Sequence, residues 1–433
     1  MYFIVSFALL GALLSFFCLW KAENRQTDLP RGSLALLFFA ALSLRLLAAA
    51  LSKGFGSDIL CFASWADRIF KVGPQDFYSP DVFTDYPPGY MYVLWLIGGI
   101  RQLLHLEYCS VPHLLLLKLP AITCDMACAM LLCREACRRG LRPQGFFLCT
   151  AYLFSPAILL NSSVWGQVDS LFTAAVAYMC LCLVKGKLPA AYIAFGIGVL
   201  IKPQMLLFSP VLLAGIIDQV FLKDFSPRKF FHHLFLGIVT VSGMVILCLP
   251  FGLESVWNQY FSTLSSYPYA AVNACNLWGM LGLNWISQDN LFLGIPYQIY
   301  GFCAVIAAIA LTLFISLRRP GFREKYPFLG ALLILTVFSF SVRMHERYMY
   351  PGLLLLLFAY LYKPQRSVFL CYGGFSVMHF LNTAYVLLFY DPADYDRRDP
   401  FVLAVSCGML LCTGLLLYNA FRLYGPAGKE ISA

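Results

Sequence analysis

Ser57-Asp58 follows directly on an apolar run and opens a stretch with apolar residues at Ile59, Phe62, Ala63, Ala66, Ile69 and Phe70. That spacing predicts a helix lying on a membrane surface, with Trp65 on it. A carboxylate at a lipid–water boundary can have a raised pKa and act as a base, while an aspartate in this place also suits a helix N-cap. Thr84-Asp85-Tyr86-Pro87-Pro88 comes next. Its prolines exclude a helix interior and set an extended approach to the apolar segment beyond. Asp85 either caps that segment or faces a ligand, with Tyr86 beside it. Trp165-Gly-Gln167-Val-Asp169 joins two apolar runs and holds more functional groups than a bare turn needs. Lys202-Pro203-Gln204 places an ammonium between short apolar runs. A charge near the bilayer centre costs roughly 2.5–3.5 kcal/mol, so Lys202 must snorkel or pair. Last, Arg343-Met-His345-Glu346-Arg347 packs four ionisable groups into five positions. An arginine fork suits a phosphate, and His345 can neutralise or relay; an Arg–Glu network holding two helices is the plainer reading.

The elements that carry these residues follow from composition. The chain is 60% hydrophobic and 12% charged, against roughly 45–50% and about 25% in soluble domains. A soluble core cannot hide that much apolar surface. The apolar runs are too long for the alternating segments of a barrel, so the fold class is all-α, a polytopic transmembrane bundle. Thirteen spans are expected, at 2–20, 33–51, 113–133, 145–161, 169–184, 188–201, 204–222, 233–250, 291–316, 326–343, 350–362, 367–389 and 401–421. Several are short, which predicts broken or tilted helices. The apolar segment Gly89–Ile100 is too short to span and reads as a re-entrant or interfacial helix inside one large external loop, 52–112. The first run has no basic residues before it and no small-residue cleavage site after it, and is read as a retained span.

The net charge of +9 does not imply nucleic acid, because 20 of the 31 Lys and Arg lie in one set of alternate loops. Those loops, from Lys21 and Arg25 through Arg134–Arg142, Lys185, Lys223 and Arg318 to Lys429, are cytoplasmic by the positive-inside rule. The N-terminus is then outside, and the five polar segments face the non-cytoplasmic side. The aromatic-rich loop 252–290 reads as an interfacial belt or as a platform for a sugar or lipid headgroup, and a third external loop covers 390–400. Most of the sixteen cysteines sit in apolar runs, and no zinc spacing occurs. Arg45 and Asp125 remain inside spans, with Lys118 near the outer edge of the third, where pairing would hold helices together. No repeat, linker or soluble domain is visible, so residues 1–433 are read as one membrane unit, with 1–32 as an extra N-terminal span and its loop.

Taken in order, the five segments resemble the integral-membrane glycosyltransferases of the C superfamily. The likeness is to bacterial mannosyltransferase-like proteins related to the GPI-anchor second mannosyltransferase, and to the glucosyltransferases that extend dolichol-linked oligosaccharides. It rests on Asp58 with Trp65, on Tyr86-Pro87-Pro88, and on His345-Glu346-Arg347. Trp165 to Asp169 and Lys202 to Gln204 match the bacterial branch, and the likeness runs from Arg45 onward. It implies a hexose donor on a polyprenyl monophosphate, a glycan or glycolipid acceptor, inversion at the anomeric carbon, and a site on the extracytoplasmic side of a bacterial plasma membrane. Asp58 matches the general base. Arg347, Arg343, His345 and Lys202 are the candidates for the donor phosphate. Trp65, Asp85, Tyr86, Trp165, Gln167, Asp169, Gln204 and Glu346 are the candidates for substrate binding. A second acidic residue often adjoins the base in this superfamily; here Ile59 and Leu60 follow, so neither a metal site nor a cofactor is expected. The rival readings are a transporter or flippase of a lipid-linked glycan, and a polymerase or ligase with a pyrophosphate-linked donor.

Overall fold

A computed structural model describes residues 1–23, 29–222, 225–389, 391 and 399–424. The helices begin with α1 (Tyr2–Glu23), α2 (Ser33–Leu51), α3 (Gly56–Val72), α4 (Pro88–Leu103), α5 (Val111–Arg138) and α6 (Arg142–Leu153). After the short α7 (Pro156–Leu159) and a π-helical turn, Leu160–Trp165, come α8 (Asp169–Lys185) and α9 (Leu188–Ile201). A 3-10 turn, Pro203–Phe208, leads into α10 (Ser209–Val220), α11 (Pro227–Cys248) and α12 (Leu253–Ser265). Strand β1 (Ala271–Val272), α13 (Leu277–Met280) and the hairpin β2 (Leu291–Phe292) and β3 (Ile295–Pro296) precede α14 (Tyr297–Arg318). The chain closes with α15 (Tyr326–Phe340), β4 (Met344–His345), α16 (Tyr350–Tyr362), α17 (Arg366–Phe389) and α18 (Pro400–Tyr424).

The fold is all-α, 77% helical, as composition demands. Every one of the thirteen predicted stretches is helical, but seven helices among the described residues, or eight counting the bent pair through Pro156, are long and apolar enough to cross a membrane alone. Of the other five, α17 runs 24 residues while α8, α9, α15 and α16 are short, and α15 and α16 are internal. All 13 residues of α16 are buried; at about 1.5 Å per residue it runs about 20 Å, short of a hydrocarbon core of about 30 Å. Hydropathy alone cannot tell a protein-facing helix from a lipid-facing one. Two boundaries also move. Residues 291–296 form the β2–β3 hairpin and not the start of a span, and α15 stops at Phe340, leaving 341–349 irregular apart from β4.

The predicted surface helix is α3. Ile59, Phe62, Ala63, Ala66 and Ile69 are buried, while Phe70 is exposed. It packs against α4, and the contact is so close that a Cβ on Gly98 would lie 2.2 Å from the Ala66 carbonyl oxygen. Asp58 does not cap this helix. The N-cap is Phe55, which leaves the Asp58 carboxylate for other partners. Nor does Asp85 cap α4, where Pro87 is the N-cap and Pro88 the first helical residue.

Charges within the spans resolve as pairs and caps. Arg45 meets Asp125 at 3.7 Å with both side chains fully buried. Lys118 takes no carboxylate; its Nζ donates to the carbonyls of Ala49 and Ser52, the end of α2, where a cation is favourable. The basic ends of α5, α8 and α14 gather at one pole, with Arg139–Glu324 at 2.6 Å and Lys185–Glu135 at 2.5 Å. The start of α8 and the end of α9 lie at the other pole. Arg25, Lys223, Lys429 and residues 392–398 of the third external loop, Arg397 included, lie outside the described residues.

Candidate active site

At that other pole a cavity of about 920 Å³ opens, lined from α3, the 83–86 turn, the 3-10 turn, the 266–298 segment, the start of α14 and the 341–348 segment. Asp58 sits on its wall, in the first turn of α3, with a side chain 22% exposed. Trp165 Nε1 donates to Asp58 Oδ2 at 2.7 Å, and Gln167 Nε2 donates to the same oxygen. Arg347 comes within 3.9 Å of it as well. Among the described residues every such contact falls on Oδ2 and none on Oδ1, and Asp58 lines the cavity.

That anchoring depends on the π-helical turn. Its extra residue swings the Trp165 indole under Asp58, where Phe55 stacks on it at 4.5 Å and the Arg347 guanidinium lies 5.7 Å away. Gly166 then reverses the chain with φ 89°, and a Cβ there would lie 2.7 Å from Ile59 Cδ1. Gln167 is held in turn by Tyr86, whose hydroxyl donates to Gln167 Oε1 at 3.3 Å. Trp65 donates to the Phe83 carbonyl at 2.8 Å and fixes the turn that carries Asp85 and Tyr86.

Lys202 pairs and does not snorkel. The following proline keeps it extended at the end of α9, and its Nζ donates to Asp169 Oδ1. Arg347 is the hub of the cluster: Glu346 lies 2.5 Å from its Nη1 and Asp169 3.8 Å from its Nε, besides Asp58. Arg343 differs. Its Nη2 donates to the Ser266 carbonyl at 2.7 Å, and no carboxylate among the described residues pairs with it. Of the three cations it is the one whose charge is unspent.

The titrations follow this crowding. Burial, and then the Asp58 charge, push Asp85 up to about 6 against the pull of Arg347 and Lys202. Burial raises Glu346. Burial and the charges of Arg347 and Lys202 hold His345 well below its ordinary value, so it is a neutral imidazole and not a cationic partner for phosphate. Its ring packs edge-on against Tyr267, with centroids 4.7 Å apart.

Of the sequence-predicted residues, Asp58, Trp65, Asp85, Tyr86, Gln167, Lys202, Gln204, Arg343, His345, Glu346 and Arg347 all line the cavity. Trp165 and Asp169 do not; they are 1% and 2% exposed and lie behind the wall, positioning Asp58, Lys202 and Arg347. Sequence reasoning missed Gln259 on α12, which grips Thr84 through both its amide groups. It also missed the pairing of β1 with β4, which lashes the 252–290 loop to the His345 strand. That loop divides between its two readings. Trp257 is 65% exposed as a belt residue would be, whereas Tyr267 and Trp285 face the cavity.

The sequence profile of glycosyltransferase family 87, a C-superfamily type of membrane glycosyltransferase, matches residues 83–344, more than half of the chain. No curated protein matches it.

Proposed function

We propose that this chain, which belongs to glycosyltransferase family 87, is an inverting hexosyltransferase with Asp58 as general base, a mannosyltransferase by its sequence likeness. Family membership decides for an enzyme over the carrier and flippase readings. The observation that supports the rest is the two-sided carboxylate of a cavity-lining residue: Oδ2 is fixed by Trp165 and Gln167, and no protein group among the described residues holds Oδ1. A base so held needs no reorientation when the acceptor hydroxyl arrives.

In the step, the hydroxyl proton passes to Asp58 Oδ1 as the acceptor oxygen attacks the anomeric carbon from the face opposite the phosphate. The bond from that carbon to the phosphate oxygen breaks, and the electron pair leaves on a polyprenyl monophosphate. Arg343, the cation without a carboxylate, is the group to bind that phosphate bidentately. Arg347 and Lys202 add fixed positive charge behind it, partly offset by their own carboxylates. The site faces the non-cytoplasmic side of a bacterial plasma membrane in this reading, because the basic pole is the opposite one.

The test is transfer of radiolabelled hexose from polyprenyl-phosphate sugars by purified protein in lipid. Transfer with inverted configuration is the expected result. A product of retained configuration, or transfer only from nucleotide sugars, would overturn the proposal.

A further inference from the structure

The mechanism above uses Asp58, Arg343, Arg347 and Lys202; the 266–298 segment lines the cavity beside Arg343 and is unassigned. It presents two half-exposed aromatic rings, Tyr267 and Trp285, with the amides of Asn273, Gln288 and Gln298. Rings beside amides are what a pyranose needs: an apolar face to stack on and partners for its hydroxyls.

The backbone marks the same wall. Seven non-glycine residues among those described have left-handed backbones, and four of them, Tyr267, Asn273, Trp285 and Arg343, line this one cavity. Side chains there are strained, and such strain persists only where surrounding bonds over-determine it. Those bonds are present. Asn273 N donates to Asn284 Oδ1 at 2.6 Å, Trp285 N to the Ala271 carbonyl at 2.9 Å, and Arg343 N to the Tyr269 carbonyl at 3.0 Å. The effect is to aim two rings and a guanidinium into one space. Gln288 Oε1 is buried there with no hydrogen-bond partner, an unmet acceptor on the cavity wall.

We infer that this wall is the subsite for the terminal pyranose of the acceptor, holding it by stacking on Tyr267 and Trp285 and by hydrogen bonds with the Gln298 amide and to Gln288 Oε1. The inference rests on the hexosyltransferase reading. It makes the 266–298 segment, and not the Asp58 wall, the part that selects the acceptor.

The test uses the full-length protein in lipid nanodiscs containing saturating polyprenyl monophosphate. Methyl α-D-mannopyranoside, glucopyranoside and galactopyranoside are the probes, read by saturation-transfer difference NMR. At least one hexoside is expected to bind. Tyr267→Ala and Gln298→Ala should each weaken that binding about tenfold, with polyprenyl monophosphate binding unchanged. Gln298 is exposed at the start of α14, so its variant keeps the test valid if Tyr267→Ala misfolds. No hexoside binding, or binding equal in wild type and Gln298→Ala, overturns the assignment. A second arm uses Asp58→Asn protein saturated with a polyprenyl-phosphate hexose, whose own sugar fills the donor position. Hexoside binding that persists supports an acceptor place, and displacement gives the wall to the donor sugar and overturns it. Failure of polyprenyl monophosphate to bind strikes the donor reading instead, and leaves the hexoside result to be judged on its own.

Discussion

Two clusters of buried charge stand at opposite poles of this molecule, and they are built differently. At the basic pole Lys325 meets Asp218 at 2.7 Å, donates to the carbonyls of Ser316 and Arg319, and shares Asp218 with the Tyr326 hydroxyl. One ammonium faces one carboxylate, and the donors around them are used on the protein itself. At the cavity, Asp58, Asp85, Asp169 and Glu346 surround Arg347 and Lys202, while Arg343 and Asp58 Oδ1 keep a free side. The first cluster holds helices, and its one unmet carboxylate oxygen, Asp218 Oδ1, is sealed inside the protein. The second is left incomplete in the direction of a space large enough for a substrate. Buried charge alone is weak evidence for function; buried charge with an unmet partner beside a cavity is stronger.

The largest expected effect comes from removing the hub. Arg347→Ala leaves three carboxylates without their shared cation and should destabilise the protein by about 3–5 kcal/mol, read as loss of thermal stability in detergent. Adding Asp58→Asn should recover part of the loss, and no recovery would mean that Arg347 acts by packing alone. Pair replacement sharpens the contrast. Lys325→Met with Asp218→Leu should leave sugar transfer near wild type, whereas Lys202→Met with Asp169→Leu should keep the fold and lose transfer. Equal behaviour of the two double variants would erase the distinction between the poles.

The closed pole was partly legible in the sequence, because basic residues there fall between apolar runs. The open pole was legible as a set of residues but not as an arrangement. Asp58, Lys202 and Arg347 announce themselves as charges next to spans. Nothing in the spacing says that Arg347 is engaged by three carboxylates while Arg343, four residues earlier, is not. That difference comes from β1 pairing with β4, a two-residue contact between segments some seventy residues apart with no periodicity to betray it. The N-cap reading of Asp58 failed for a related reason: the π-helical turn that captures its carboxylate is a tertiary neighbour, invisible from residues 56–72 alone. Helices were placed well because hydropathy is local. Their roles as lipid-facing or internal were not, because burial of α15 and α16 depends on what surrounds them.

Smaller effects test single groups. Arg343→Ala should weaken binding of polyprenyl monophosphate by about 1.5–3 kcal/mol, the scale of one charge-assisted hydrogen-bonded contact, with unchanged melting temperature. Unchanged affinity would return the phosphate to Arg347 or Lys202. Asp85 gives a pH signature. Its folded pKa, about 6, lies above its ordinary value near 4. The folded state therefore holds the extra proton between those values, and stability should fall as pH rises from about 4 to about 6. Asp85→Asn should remove that decline, matching wild type below pH 4 and exceeding it above pH 6; a decline of the same size in the variant would show that another group carries it. The smallest experiment concerns the poles themselves. A membrane-impermeant thiol reagent added to sealed cells should label Cys109, in the loop before α5, and spare Cys137 at the basic pole. Labelling of Cys137 would invert the orientation.

The central claim is that Asp58 takes the acceptor's proton. Its most direct measurement is the single-turnover rate of sugar transfer by Asp58→Asn, set beside Asp85→Asn and Asp169→Asn in the same membranes. An asparagine keeps the size of Asp58 and can still accept from Trp165 and Gln167, so the fold should survive. It cannot accept a proton, and the rate should fall roughly 10²-fold or more, at least about 2.7 kcal/mol in the barrier. Near-wild-type transfer by Asp58→Asn, with Asp85→Asn or Asp169→Asn inactive, would contradict the account and move the base to that residue.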